Sequence, residues 1–197
     1  PQTLSLTTLI SERLHFKRSV QAADRILVFS NATREDVAKH FNVCRGNIFR
    51  IIPKYLAQKC NTAHHGVSQR RQPKAPFLYI GTFEPRKNLT QLIVAHQSLP
   101  LKLRSKHPLV LMGRFGWKTK EMRGLLKNDC NQTLVVTENP TDEDIRSALQ
   151  KCYALVMPSL YEGFGLPVLE AMSMNRIILC SDIPIFKEIL KNNAVFF

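Results

Sequence analysis

The chain has 197 residues, 44% of them hydrophobic, with 28 Lys and Arg against 15 Asp and Glu for a formal net charge of +13. That is room for one full domain and part of another, and the apolar share excludes disorder throughout. No apolar run reaches the ~18 residues of a membrane-spanning helix, and no signal-peptide pattern opens the sequence, so a soluble chain is expected.

The cationic excess attracts nucleic acids, anionic lipid surfaces and phosphorylated ligands alike, so it identifies a class of partner rather than one partner. Five cysteines, Cys44, Cys60, Cys130, Cys152 and Cys180, are odd in number and contain no Cys-x-x-Cys pair. They read as reduced thiols of a cytoplasmic protein, several of them filling the core.

Residues 9–21 place Ile10, Leu14 and Val20 among Arg13, Lys17 and Arg18. This is the period of a basic amphipathic helix, packed on its own domain or laid on a membrane surface. Residues 23–30 read as a strand running into a helix, with Ser30, Asn31 or Thr33 as the cap and Glu35 and Asp36 favouring its first turn. Residues 47–53 read as a second strand, stopped by Pro53. Residues 54–74 lose periodicity and form a polar connector. Its His64-His65 pair has no further ligands at zinc spacing, which favours a linker over a metal site.

Alternation resumes at Pro76. Residues 77–80 predict a strand, 81–88 a loop reading Gly-Thr-Phe-Glu-Pro-Arg-Lys-Asn, and 88–98 a helix. A strand follows at 108–112, then the loop Gly113-Arg114-Phe115-Gly116-Trp117, a basic helix, a strand at 133–136, and a capping-box helix start at residues 141–144. Further strands are expected at 153–157, 176–180 and 194–197, with a helix entered through Asp182 and Pro184. Strands alternating with helices imply right-handed crossovers and a parallel sheet covered on both faces.

The strand at 153–157 leads into Pro-Ser-Leu-Tyr-Glu-Gly-Phe-Gly-Leu-Pro-Val-Leu-Glu-Ala over residues 158–171. Gly163 and Gly165 free the backbone for a tight turn, and Pro167 suits a first helical turn. The resulting helix N-terminus favours phosphate or sugar oxygens. Glu162 and Glu170 bracket it, and a carboxylate can accept a pair of sugar hydroxyls. In the earlier loop, Arg86 and Lys87 stand where a strand gives way to a helix, placed to neutralise a diphosphate.

Residues 162–172 resemble the Glu-x7-Glu signature of the retaining GT-B glycosyltransferases of family 4, and residues 81–88 are similar to that family's "G...PRKN" element. Residues 23–36, with Ser30, Thr33 and Asp36, then Ile48 and residues 51–53, resemble the end of its N-terminal domain. The resemblance implies a doubly wound, Rossmann-like parallel sheet over residues 76–197, the nucleotide-sugar-binding domain with its C-terminal end missing. A linker at 54–75 and the last strand-helix-strand of an incomplete acceptor-side domain at 1–53 would precede it. The implied activity is transfer of a mannose- or glucose-type hexose from a UDP- or GDP-sugar to a glycan or lipid-linked acceptor in cell-envelope polysaccharide synthesis. It uses no metal, no other cofactor and no protein nucleophile.

By the same resemblance, Glu162, Lys87 and Arg86 carry catalysis. Lys87 and Arg86 bind the diphosphate, Glu162 the donor sugar and Glu170 the ribose, with the backbone of Gly163, Phe164, Gly165 and Leu166 at the sugar and phosphates. Gly81, Thr82, Gly113, Glu138 and Asn139 line the nucleotide cleft, and Trp117 is either packing or contact. Thr82 replaces an arginine common in the family, which leaves Arg86 as its substitute. Residues 174–177 replace Cys-Gly-x-Pro, with Asn175 suited to the left-handed cap, and Asn192 and Asn193 replace a glycine. A cytoplasmic location with peripheral contact at an anionic inner membrane face is expected, with no specific nucleic-acid partner. The alternatives are a donor-binding fragment with poor transfer and a basic nucleic-acid-binding module that rests on charge alone. A dinucleotide oxidoreductase lacks its Gly-x-Gly-x-x-Gly.

Overall fold

The computed structural model describes residues 15–51 and 74–197. The first stretch opens with α1 (Lys17–Ala22), none of whose residues is buried. It falls in the amphipathic segment expected at 9–21, of which residues 9–14 lie outside the described residues, as do most of the connector, His64, His65 and Cys60.

Next come β1 (Ile26–Val28), α2 (Asn31–Phe41) and β2 (Ile48–Arg50). The two strands pair in parallel, Ile26 opposite Ile48 and Val28 opposite Arg50. Val28 and Ile48 are buried while Leu27 and Phe49 are exposed, the alternation of a sheet packed on one face. Ser30 caps α2, accepting the Thr33 amide at 3.0 Å. Because α2 starts at Asn31, Glu35 and Asp36 lie beyond its first turn, which contains no acid. Their dipole role is therefore corrected, and Glu35 pairs instead with exposed Arg45.

The second stretch contains β3 (Phe77–Ile80), α3 (Leu89–Gln97), α4 (Leu101–Lys106), β4 (Leu109–Gly113), α5 (Lys120–Lys127), β5 (Leu134–Glu138), α6 (Asp142–Lys151), β6 (Ala154–Met157), α7 (Leu166–Ser173), β7 (Ile177–Cys180), α8 (Pro184–Leu190) and β8 (Val195–Phe196). The strands order as β5-β4-β3-β6-β7-β8, and every neighbouring pair is parallel. This is the doubly wound arrangement, and its right-handed crossovers carry the helices of the two halves to opposite faces.

Central β6 is buried at every residue, as an unbroken apolar run covered on both faces requires. Around it Leu78, Tyr79, Leu109, Leu111, Met157, Val168 and Phe186 close one core. Full burial of such a side chain contributes about 1.5–3 kcal/mol before entropy is counted. Cys152 and Cys180 belong to this core, where burial pushes both thiols up to about 11, while Cys44 and Cys130 are exposed.

Local signals set several boundaries. Thr141 and Asp144 form the expected capping box, with the Thr141 amide donating to Asp144 at 2.9 Å and the Asp144 amide to Thr141 Oγ1 at 3.2 Å. Asn175 takes the left-handed cap at φ 52°. Before β8 the positive φ falls on Lys191, at 50°, rather than on Asn192 or Asn193. Strand β5 runs on to Glu138, two residues past its expected end. Among the described residues no helix is long and apolar enough to cross a membrane.

Candidate functional site

In this strand order the sheet's two halves diverge between β3 and β6, which leaves a crevice at their carboxyl ends where α/β sheets bind ligands. The loop after β3 and the loop after β6 face each other there. The first ends in a 3-10 turn, Pro85–Lys87, and a left-handed Asn88 at φ 56°. The second ends at Gly165, the α7 N-cap, at φ 87°; a Cβ there would lie 2.8 Å from the Phe186 ring, so glycine is required.

Lys87 Nζ donates to Glu162 Oε1. Arg86 Nη1 lies 3.1 Å from both Glu162 Oε2 and the Tyr161 carbonyl, and its Nε is 2.5 Å from Glu84 Oε1. Ser159 Oγ donates to Glu162 Oε1 at 2.8 Å. The Leu160 amide donates to the Arg86 carbonyl at 2.8 Å, which ties the two loops by their backbones. Two cations and two carboxylates thus balance in one cluster, the Glu162 and Lys87 side chains nearly dry at 6% and 10% exposed and Arg86 at its rim at 30%. Mutual attraction there offsets a desolvation cost that either charge alone would bear in full. Beneath them Tyr79 donates to the Thr82 carbonyl at 3.2 Å. Burial, then the Glu162 and Glu84 carboxylates, push its pKa up, so it stays protonated.

The nucleotide-cleft residues expected from sequence fall at adjacent strand ends. The Gly81 amide donates to the Met112 carbonyl at 2.9 Å and the Asn139 amide to the Gly113 carbonyl at 2.8 Å. A Cβ on Gly113, at φ 157°, would lie 2.0 Å from the Gly81 carbonyl oxygen, so these loops meet only because that residue is glycine. Glu138 is the exposed last residue of β5, while Glu170 stands a turn into α7, half-buried. Trp117 is half-buried.

On the other side of Glu162 a cavity of about 350 Å³ is lined by Ala32, Asp36, Leu160, Tyr161 and Ile183 among others. The Tyr161 hydroxyl lies beside Asp36, and burial followed by that carboxylate raises its pKa. Sequence reasoning gave no role to Glu84, Ser159 or Tyr161. The signal was present for the first two, since Glu84 stands two residues before Arg86 and Ser159 three before Glu162.

A parallel sheet in this order, with charged loops closing on its switch point, defines a doubly wound ligand-binding domain. Residues 61–196 match the family described as glycosyl transferases group 1, and the chain belongs to that family. It is 30% identical over 190 residues to O-antigen chain mannosyltransferase B of Escherichia coli, covering 87% of this chain and 47% of that protein. It is 25% identical to O-antigen chain mannosyltransferase RfbU of Salmonella typhimurium, covering 93% and 49%. Anabaena Alr3699/HepE, crystallised with UDP and glucose, superposes with a TM-score of 0.71 at 16% identity, covering 98% of this chain and 53% of that one. That likeness shows the fold, which this chain shares with GT-B glycosyltransferases. The chain spans about half the length of the curated relatives it matches.

Proposed function

We propose that this chain forms the donor half of a retaining hexosyltransferase, of mannose or glucose type, that draws on a UDP- or GDP-sugar. The observation that carries the reading is the meeting of Lys87 and Arg86 with Glu162 across the switch point. Lys87 and Arg86 neutralise the diphosphate as negative charge builds on it, together with the N-terminus of α7. Glu162 accepts hydroxyls of the sugar and Glu170 those of the ribose. Gly81, Thr82, Gly113, Glu138 and Asn139 hold the nucleotide at the ends of β3, β4 and β5. The cluster's cations and carboxylates are already oriented by each other, so little reorganisation is needed at the moment of transfer. Attack by the acceptor on the face that the diphosphate leaves needs no protein nucleophile, metal or other cofactor.

The O-antigen relatives favour mannose as the sugar and a glycan or lipid-linked acceptor of cell-envelope polysaccharide synthesis. An acceptor of that kind brings the whole protein to the inner membrane face, where the +13 charge complements anionic lipid. Isothermal titration tests the donor site. Lys87→Ala weakens binding of a nucleotide sugar by about 10- to 100-fold, the worth of a charge-assisted hydrogen bond, and weakens the nucleoside far less. Glu170→Ala weakens both. Equal losses for the two ligands in Lys87→Ala exclude the diphosphate role. The 197-residue chain is expected to bind donor but transfer poorly, and robust transfer by it refutes that part.

A further inference from the structure

Helix α2 is packed against the loop that carries Glu162, and its contacts use residues for which the donor chemistry has no role. Ser30 is buried, and its Oγ is 2.8 Å from Thr33 Oγ1 and 3.5 Å from the Gly163 carbonyl oxygen. A hydroxyl has one proton to donate, and the shorter contact takes it. Thr33 Oγ1 in turn donates to the Gly163 carbonyl at 3.1 Å. The two hydroxyls therefore form a relay that ends on the residue next to Glu162, and bonds in such a chain polarise one another.

Two further contacts stop α2 from moving away. The Glu188 carboxylate on α8 accepts the Asn31 and Ala32 amides at 2.9 Å each, capping α2 from across the molecule. Phe29 packs against Phe164 with ring centroids 5.7 Å apart. One turn along from Thr33, Asp36 faces Tyr161, the residue before Glu162.

We propose that Ser30 and Thr33 are positioning residues for Glu162: their hydroxyl relay fixes the Gly163 peptide and holds the Glu162 carboxylate at the angle that accepts the donor's sugar hydroxyls. The relay acts from the segment that precedes the donor domain, so it couples docking of that segment to recognition of the sugar. The nucleoside end, held elsewhere, does not depend on it. This inference rests on the proposed donor site.

The test pairs a ligand readout with one that needs no ligand. Thr33→Val keeps the shape and removes the donor, while Thr33→Ser keeps the hydroxyl. With UDP-glucose and GDP-mannose against UDP and GDP, Thr33→Val raises the ratio of the sugar nucleotide's Kd to its nucleoside diphosphate's by about fivefold, the worth of one hydrogen bond. Thr33→Ser restores the ratio, and thermal melting confirms that each variant is folded. Hydrogen exchange of the Leu160 amide, which bonds Arg86, speeds up by a similar factor in Thr33→Val and not in Thr33→Ser. An unchanged ratio with an unchanged exchange rate overturns the relay, and faster exchange with equal losses for both ligand types overturns its role in aiming Glu162. If the unaltered chain binds none of the four nucleotides, the donor reading fails. The exchange rates then decide the relay alone: acceleration confined to Thr33→Val supports it, and its absence overturns it.

Discussion

The ion cluster at the switch point and the ion pairs on the surface use the same side-chain chemistry in opposite settings. Lys87 and Glu162 are 10% and 6% exposed in their side chains, whereas Lys187 and Asp182, paired at 2.7 Å, are 60% and 50% exposed. Water already solvates the surface pair, so its formation changes little. In the crevice each charge has lost water and depends on its partners, so the same contact fixes a geometry that ligand chemistry can use. Glu188 stands between these extremes, 21% exposed, pairing with Arg50 at 3.2 Å while it caps α2.

Breaking the cluster produces the largest effect. Glu162→Gln leaves buried Lys87 without its acid, while half-buried Arg86 keeps Glu84, and lowers stability in urea by about 3 kcal/mol. A loss under 1 kcal/mol shows that the cluster is as wet as the surface and erases the contrast. Glu188→Ala strips two helix amides of their acceptor and costs about 1–2 kcal/mol in the same assay. Its effect stays below that of Glu162→Gln if burial sets the order.

His96 sharpens the contrast from the uncharged side. It is buried, its Nε2 donates to the His107 carbonyl at 3.0 Å, and burial lowers its pKa below the ordinary value. The unfolded chain therefore takes up a proton at this site before the folded one does. The contribution is fully present above the unfolded value near 6.5 and is lost as pH falls through the lower folded value. Urea midpoints measured from pH 7.5 to 5 decline, and His96→Gln flattens that decline. The smallest effect belongs to exposed Arg45, whose removal in Arg45→Ala shifts stability by no more than about 0.5 kcal/mol.

Much of the fold was legible because its signals are local. Apolar runs located the strands, and Thr141 with Asp144 announced a helix start whose capping box is formed by both hydrogen bonds. Asn175 was expected in the left-handed cap and is found there. Where two local options competed, sequence left them open. Ser30, Asn31 and Thr33 all suit a cap, and only the start of α2 selects Ser30 and moves Glu35 and Asp36 out of the first turn. Likewise the strain before β8 fell on Lys191, since the length of α8 rather than residue type placed the turn.

The candidate site was legible as a set of residues but not as an arrangement. Residues 81–88 and 158–171 each display their chemistry in their own spacing, so sequence alone marked Lys87, Arg86, Glu162 and Glu170. Which of them touch was decided by the sheet, which places β6 beside β3 although four helices and two strands intervene in the chain. That adjacency brings the local pairs Glu84–Arg86 and Ser159–Glu162 into one cluster, while the packing of α2 sets Thr33 against the Gly163 carbonyl, 130 residues away in the chain. Backbone periodicity and capping act over a few residues and are written in the sequence directly. Charge pairing across a crevice depends on strand order, and that order is fixed only when the whole apolar core closes.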